Sequence, residues 1–296
     1  FDHPEIKEAM ELCVSCKACK SECPSNVDMA SLKAEFLYQY QKINPVSLRT
    51  KLIAHNAKLN SIAKRFAGIY NFFGKKSWFK SLIGVHQNRS LPKLQQTTLR
   101  QWFETHQQKE HARKVYMFCD EYTNHYDVGI GKKSILLLNT LGYNVIMPAH
   151  FESARAYISK GFLEQAKTIA TENINTFSTL ITKDAPLIGI EPSAILGFRD
   201  EYPNLVAPVL KSKAESLAQN VFTIEEFIAH EMTATNIDVS KFTTASKTVY
   251  YHGHCHQKAL SSTSYAITSL GIPTNFNVQT IDAGCCGMAG SFGYEK

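Results

Sequence analysis

The sequence predicts an α/β protein in three parts: a small all-helical N-terminal domain, a helical connector, and an α/β domain of two degenerate Rossmann-like repeats with parallel sheets. Three observations lead there. From Lys114 onward, short apolar runs without polar alternation recur, as in strands buried on both faces. Helical stretches separate these runs, and the strand–helix order is passed through twice. Before them, four closely spaced cysteines sit in a segment of helical texture.

The first part spans residues 1–44. EIKEAMELC is periodic ahead of the cysteines. After them, Asn26 or Asp28 is placed to cap a helix through MASLKAEFLYQYQ, which ends at Asn44-Pro45. The connector, 45–112, reads as short helices punctuated by Gly68, Gly74, Gly84 and Pro92. The α/β part, 113–296, opens with the strand-like runs KVYMF (114–118), YNVIM (143–147) and PLIGI (186–190). Helices over Gly131–Leu141 and Phe162–Thr176 lie between them. A second round follows: TVYYHG (248–253), a helix through QKALSSTSYAITSL, and a strand near NFNVQTI (275–281).

The two rounds align. Each opens with a β segment running to a cysteine, Cys119 in YMFCDEY and Cys255 in YHGHCHQ. Each then has a helix closing at a Leu-Gly turn, at Leu141-Gly142 and Leu270-Gly271. The loop after the next strand is PAHFESARA in the first round and DAGCCGMAG in the second. Glu152 and Ser153 thus stand where Cys285 and Cys286 stand.

Composition sets bounds. The chain has 296 residues, 44% hydrophobic and 20% charged, ordinary for a globular protein with a sizeable core. No apolar stretch approaches a membrane span of about 18 residues. FDHPEIKEAM lacks the features of a signal peptide. Eight cysteines without a secretion signal read as ligands, not disulfides, in a cytoplasmic protein. The start without methionine and the stop at GSFGYEK read as a piece of a longer polypeptide. The net charge of +6 is uneven: residues 42–114 hold 15 Lys or Arg against two acids, leaving the remainder at −7. With Phe66, Tyr70, Phe72, Phe73, Trp78 and Phe79 interleaved, that stretch leaves peripheral membrane association open. The plainer expectation is an amphipathic connector whose lysines are solvated and whose apolar stripe packs on a neighbour. No nucleic-acid motif is present.

Cys13, Cys16, Cys19 and Cys23, followed by Pro24, form the C-x2-C-x2-C-x3-C-P run that holds [4Fe–4S] clusters in bacterial ferredoxins. The short gaps let one turn present three thiolates to one cluster corner. A zinc knuckle is the alternative, but zinc sites usually come as two separated C-x2-C pairs. In two-cluster ferredoxins the fourth cysteine of such a run ligates the other cluster. No second run of this kind occurs in the sequence.

A second constellation comprises Cys255, Cys285 and Cys286, each expected beyond a strand C-terminus, where open α/β sheets place ligands. Gly284 and Gly287 free the backbone around the paired thiols. His252, His254 and His256 surround Cys255. The candidates are a second cluster, or zinc with mixed sulfur and nitrogen ligands from these cysteines and His254 or His256. Cys119 is a further candidate ligand by its matching position, or else a buried thiol. His150, in the loop matching the paired-cysteine loop, is a weaker one. Arg155, Arg199, Asp200 and Glu201 are candidates for handling anions or protons, but Arg199-Asp200-Glu201 follows the EPS helix start, and a surface ion-pair network is the expectation.

GCCGMAGSFGYE and YHGHCHQKA, together with CVSCKACKSECPSNVD and EPSAILGFRDEY, resemble the cysteine-rich CCG family. That family includes the B subunit of heterodisulfide reductase, the iron–sulfur subunit of glycolate oxidase, and the C subunit of anaerobic glycerol-3-phosphate dehydrogenase. The chain resembles the C-terminal half of large FAD-linked dehydrogenases of D-lactate or D-2-hydroxyglutarate. The resemblance implies a ferredoxin-like first domain with a further cluster motif upstream, and a cysteine beyond Lys296 completing the second site. It also implies an FAD domain on the same polypeptide, a quinone or cytochrome as electron acceptor, and leaves a homo-oligomer open. Ala194 stands where relatives often carry cysteine. The expected function is electron transfer from flavin during oxidation of a D-2-hydroxy acid. Two rivals are a catalytic metal site at Cys255, Cys285 and Cys286 with His254 or His256 as acid or base, and a structural zinc module docking the flavin domain.

Overall fold

The computed structural model describes residues 2–295. Its α/β architecture bears out the predicted fold class, with parallel strands throughout. The N-terminal segment holds α1 (Pro4–Glu11), α2 (Ala18–Glu22) and α3 (Met29–Ile43). Pro4 starts α1, where its missing N–H costs nothing. Of the two capping candidates, Asp28 caps α3, its carboxylate accepting from the amides of Ala30 and Ser31; Asn26 is a left-handed turn residue instead. The helix ends at Asn44 before Pro45.

Five short helices follow: α4 (Leu48–Ala54), α5 (Asn56–Ala63), α6 (Ala67–Phe73), α7 (Ser77–Leu82) and α8 (Leu99–Thr105). The apolar stripe expected to pack inward is only partly buried. Ala54, Ala57, Ala67 and Leu94 face the interior, whereas Phe66, Ile69, Phe72, Trp78 and Leu82 are exposed. Helices of two turns that pack through alanine approach their neighbours closely and leave their bulky residues outside.

The first sheet has the order β2-β1-β3-β4, with β1 (Arg113–Phe118), β2 (Tyr143–Ile146), β3 (Leu187–Gly189) and β4 (Val221–Thr223). Register pairs Val115 with Val145, Met117 with Ile188 and Leu187 with Val221. β4 is absent from the sequence expectation, because three residues are too few to show a pattern. The period of two divides the core into two layers. Val115, Met117 and Ile188 pack on one face with Ile135, Leu138 and Phe227. Phe118, Leu187 and Val221 pack on the other with Phe177, Phe198 and Tyr202. The helices of this part are α9 (Glu121–His125), α10 (Val128–Thr140), α11 (Arg155–Ser159), α12 (Leu163–Phe177), α13 (Pro192–Ile195), α14 (Tyr202–Leu205), α15 (Pro208–Ala218) and α16 (Ile224–Thr233).

The second round has its own two-stranded parallel sheet, β5 (Lys247–Tyr251) with β6 (Phe276–Thr280), Val249 opposite Val278. One predicted helix is here two, α17 (Cys255–Leu260) and α18 (Thr263–Leu270), because Ser262 caps a fresh start with a bond to the amide of Ser264. A last helix, α19, covers Phe292–Glu295. A third apolar cluster joins the N-terminal half to the α/β part: Ala34 of α3 and Ala54 of α4 pack with Tyr157, Ile158, Ala166 and Ile169. No helix among the described residues is long and apolar enough to cross a membrane.

Candidate functional site

The four-cysteine run is wound by left-handed backbone at Ser15 (φ 55°) and Lys17 (φ 66°), an uncommon conformation for side-chain-bearing residues. These two kinks, on either side of Cys16, turn the chain back on itself. Cys13 follows α1, Cys19 lies in α2 and Cys23 closes it. All four are free and half-buried. Amide hydrogens point at the sulfurs. Met29 N–H donates to Cys19 Sγ at 3.3 Å, and the amides of Val27, Ser25 and Asn26 draw the Cys23 thiol below its ordinary range. Thiolates bathed in N–H groups are the donor chemistry that an iron–sulfur cluster requires. Lys33 Nζ, from α3, donates to the carbonyl of Cys13 at 2.6 Å and pins the start of the loop.

Cys255 opens α17, and His254 caps that helix through Nδ1, which accepts from His256 N–H at 3.2 Å. Cys285 and Cys286 lie exposed beyond β6. His252 Nε2 lies 3.0 Å from the carbonyl of Gly284, tying this loop to the one after β5. Gly287 N–H donates to Cys285 Sγ at 3.3 Å, and Gly287 takes a left-handed φ of 75°. The Cys255 thiol is pushed up by burial, then by the nearby sulfurs of Cys285, Cys16 and Cys286. Crowded sulfurs of this kind repel as thiolates, and a cationic metal centre relieves that repulsion. Among the described residues, no three His, Cys, Asp or Glu side chains stand in a closed metal-binding arrangement. The structure does bring Cys16, of the first set, within electrostatic reach of Cys255, of the second. A cavity of about 1400 Å³ opens between them, lined by Cys13, Cys16, Cys255, Cys286, His252 and His254.

The histidines differ in their engagement. His254 Nε2 lies 3.5 Å from Glu191. His256 is buried, and its Nε2 takes a hydrogen bond from Arg155 Nη1 at 3.0 Å. Because a guanidinium can only donate, that nitrogen is unprotonated; burial, then Arg155, push the imidazole pKa down to about 2.

The first half-site is built otherwise. Cys119 is buried with its thiol toward Asn124 Oδ1 at 3.6 Å, and burial pushes it up to about 12. His150 has both ring nitrogens engaged: Nε2 accepts from Cys119 N–H at 3.0 Å and Nδ1 faces the Phe151 carbonyl at 2.6 Å. At the position matching the paired cysteines, Ser153 donates through its amide and its hydroxyl to Glu121, both at 2.8 Å. Ser153, at one of the two matched positions, is thus engaged by a buried glutamate of α9.

The expected surface ion-pair network is instead buried. Lys17 Nζ reaches Asp28 at 2.7 Å, Asp200 at 2.6 Å and Glu201 at 3.1 Å. Arg155 Nη2 bonds Glu201 at 2.7 Å, and Arg199 bonds Glu226 at 2.8 Å. Lys20 also meets Asp200. The segment carrying Arg199 to Glu201 turns inward because Phe198 and Tyr202 on either side are core residues. Lys17, Lys20 and Glu121 carry no local signal of these roles, since each pairs with residues distant in sequence.

The whole chain is similar, at 27% identity over 311 residues, to D-2-hydroxyglutarate dehydrogenase of Pantoea ananatis, and at the same identity and length to that of Escherichia coli K12. It spans 29% of the length of each. It is 25% identical over 281 residues to the C subunit of anaerobic glycerol-3-phosphate dehydrogenase of Escherichia coli K12, covering 92% of this chain and 69% of that protein. These similarities bear out the resemblance carried by the cysteine motifs. No family model matches the chain, and no solved structure matches it.

Proposed function

We propose that this chain is the electron-transfer portion of an FAD-linked oxidoreductase of a D-2-hydroxy acid, D-2-hydroxyglutarate or D-lactate, serving a quinone or cytochrome acceptor. The observation that carries this reading is the set of amides directed at the Cys19 and Cys23 sulfurs of the four-cysteine run, with Cys16 within electrostatic reach of Cys255 in the second thiol set. Similarity along the whole of this chain to 29% of the length of D-2-hydroxyglutarate dehydrogenases supports the substrate class. Residues 1–44 form the cluster-binding domain, 45–112 the connector and 113–296 the CCG domain.

A [4Fe–4S] cluster bound at Cys13, Cys16, Cys19 and Cys23 supplies one-electron redox chemistry. The chain's own contribution is to hold and tune. Thiolates bind, the amides of Val27, Ser25, Asn26 and Met29 stabilise negative charge on sulfur, and Lys33 fixes the loop. Cys255, Cys285 and Cys286 hold the second centre, a cluster or zinc, with a glycine-hinged loop between the paired thiols and α19. The FAD-binding domain of the same polypeptide is the partner that performs substrate oxidation. Eight free cysteines suit the reducing cytoplasm.

The test is anaerobic purification with iron, acid-labile sulfide and zinc quantified, and a low-temperature EPR spectrum after dithionite. Iron and sulfide in equal amounts, with a reduced-cluster signal lost in Cys16→Ser, is the expected result. Zinc without sulfide would overturn electron transfer in favour of a structural module.

A further inference from the structure

We propose that the buried chain Lys17–Glu201–Arg155–His256 is a positioning network that locks the two thiol sets into one electron-transfer unit; this rests on the reading above. Its ends are informative. Lys17 is the residue after Cys16, and His256 is the residue after Cys255. Between these two ends the contacts are continuous: Lys17 Nζ to Glu201 Oε1 at 3.1 Å, Arg155 Nη2 to that same oxygen at 2.7 Å, and Arg155 Nη1 to His256 Nε2 at 3.0 Å. Each member belongs to a different segment: the cysteine loop, the turn before α14, the start of α11, and the start of α17.

Burial argues for position over affinity. Lys17 is 2% exposed and Glu201 6% exposed, and removing such charges from water costs more than a surface pair returns. The apolar cluster of Ala34, Ala54, Tyr157 and Ile158 already holds the N-terminal helices on the α/β part. An ionic chain adds what apolar contact lacks, which is fixed orientation of each partner. The charges also balance, with Lys17, Lys20 and Arg155 facing Asp28, Asp200 and Glu201. Lys17 takes left-handed backbone to reach this position, so the cysteine loop is bent in the same place where the network grips it. The side chains at the two ends bond to carboxylates and to Arg155. These are positioning residues, and they act through the thiols that adjoin them.

The test uses the full-length protein with its cofactors, comparing wild type with Glu201→Gln, Arg155→Met and Arg155→Lys. Glu201→Gln keeps the shape and loses the charge, so it remains informative if Arg155→Met fails to fold. The readouts are iron and sulfide content, redox titration followed by EPR, and the rate at which the cluster of the first thiol set exchanges electrons with the flavin after flash reduction. We expect Glu201→Gln and Arg155→Met to keep a reduced-cluster signal but change its line shape, and to lower the exchange rate or cluster retention roughly tenfold. Arg155→Lys recovers part of the loss. Hydrogen exchange on the wild-type protein gives a second measure: the amides of residues 17–19 and 256–258 open together as one unit. Unchanged spectra and rates in Glu201→Gln, or independent exchange of the two segments, would overturn the network. A wild-type protein without iron and sulfide would instead overturn the reading on which it rests.

Discussion

Gly161 lies directly against Leu37: a Cβ at position 161 would stand 2.6 Å from the Leu37 Cβ and 2.9 Å from the Leu37 carbonyl carbon. This is where α3 meets the turn between α11 and α12, and Gly161 also has a left-handed φ of 76°. Both facts exclude a side chain. Gly161→Ala should therefore lower stability by about 1–3 kcal/mol, read as a drop in the urea midpoint. Iron content of the anaerobically purified variant should fall with it, since α3 carries the Asp28 and Lys33 contacts to the cysteine loop.

Asp28 gives a pH dependence with a defined sign. Burial pushes its carboxyl up, but Lys17 and Ser31 outweigh burial and hold it at about 2, below its ordinary 3.8. A folded pKa below the unfolded one means that the contribution is complete above about pH 4 and is lost as pH falls toward 2. Allowing for solvent screening, it amounts to about 1–2 kcal/mol. Asp28→Asn keeps an α3 cap yet should lose this acid-dependent part. Urea titrations at pH 3 and pH 6 measure it: the gap between wild type and variant should be clearly smaller at pH 3.

The thiols should separate by reactivity. Cys285 and Cys286 are exposed and Cys119 is buried with a raised pKa, so a thiol reagent should modify Cys119 last. Cys119→Ala should leave iron and sulfide content at the wild-type level, measured on protein purified without oxygen. Loss of either would place Cys119 among the ligands.

Glu226 offers a test of buried charge. Its carboxylate binds Arg199 at 2.8 Å, and the guanidinium also donates to the Val221 carbonyl on β4. Glu226→Ala strands that guanidinium and should cost about 3–5 kcal/mol in chemical denaturation. The double variant Arg199→Met, Glu226→Leu should cost less, because no charge is left unpaired.

Much of the fold was legible because its signals are local. Among the described residues, five of the six strands announce themselves as apolar runs, and Asp28 stands where a helix N-cap belongs. The misses have local causes too. Val221–Thr223 is too short to show a pattern, and Ser262 restarts a helix that periodicity alone carries through. The connector misled because alanines, not its aromatics, make the close contacts.

The sequence by itself determined which thiols are spaced as a cluster-binding set. The spacing of Cys13, Cys16, Cys19 and Cys23 requires only one loop, and the pair Cys285-Cys286 requires only two glycines around it. Tertiary structure alone decided which groups meet. Cys16 comes within electrostatic reach of Cys255, and Asp200 and Glu201 turn inward to Lys17, with Arg155 on Glu201, instead of facing water. Spacing along a chain specifies what one turn can present. A buried ion pair forms between segments whose separation in sequence carries no trace of it, and only packing of the helices and sheet brings its two charges together.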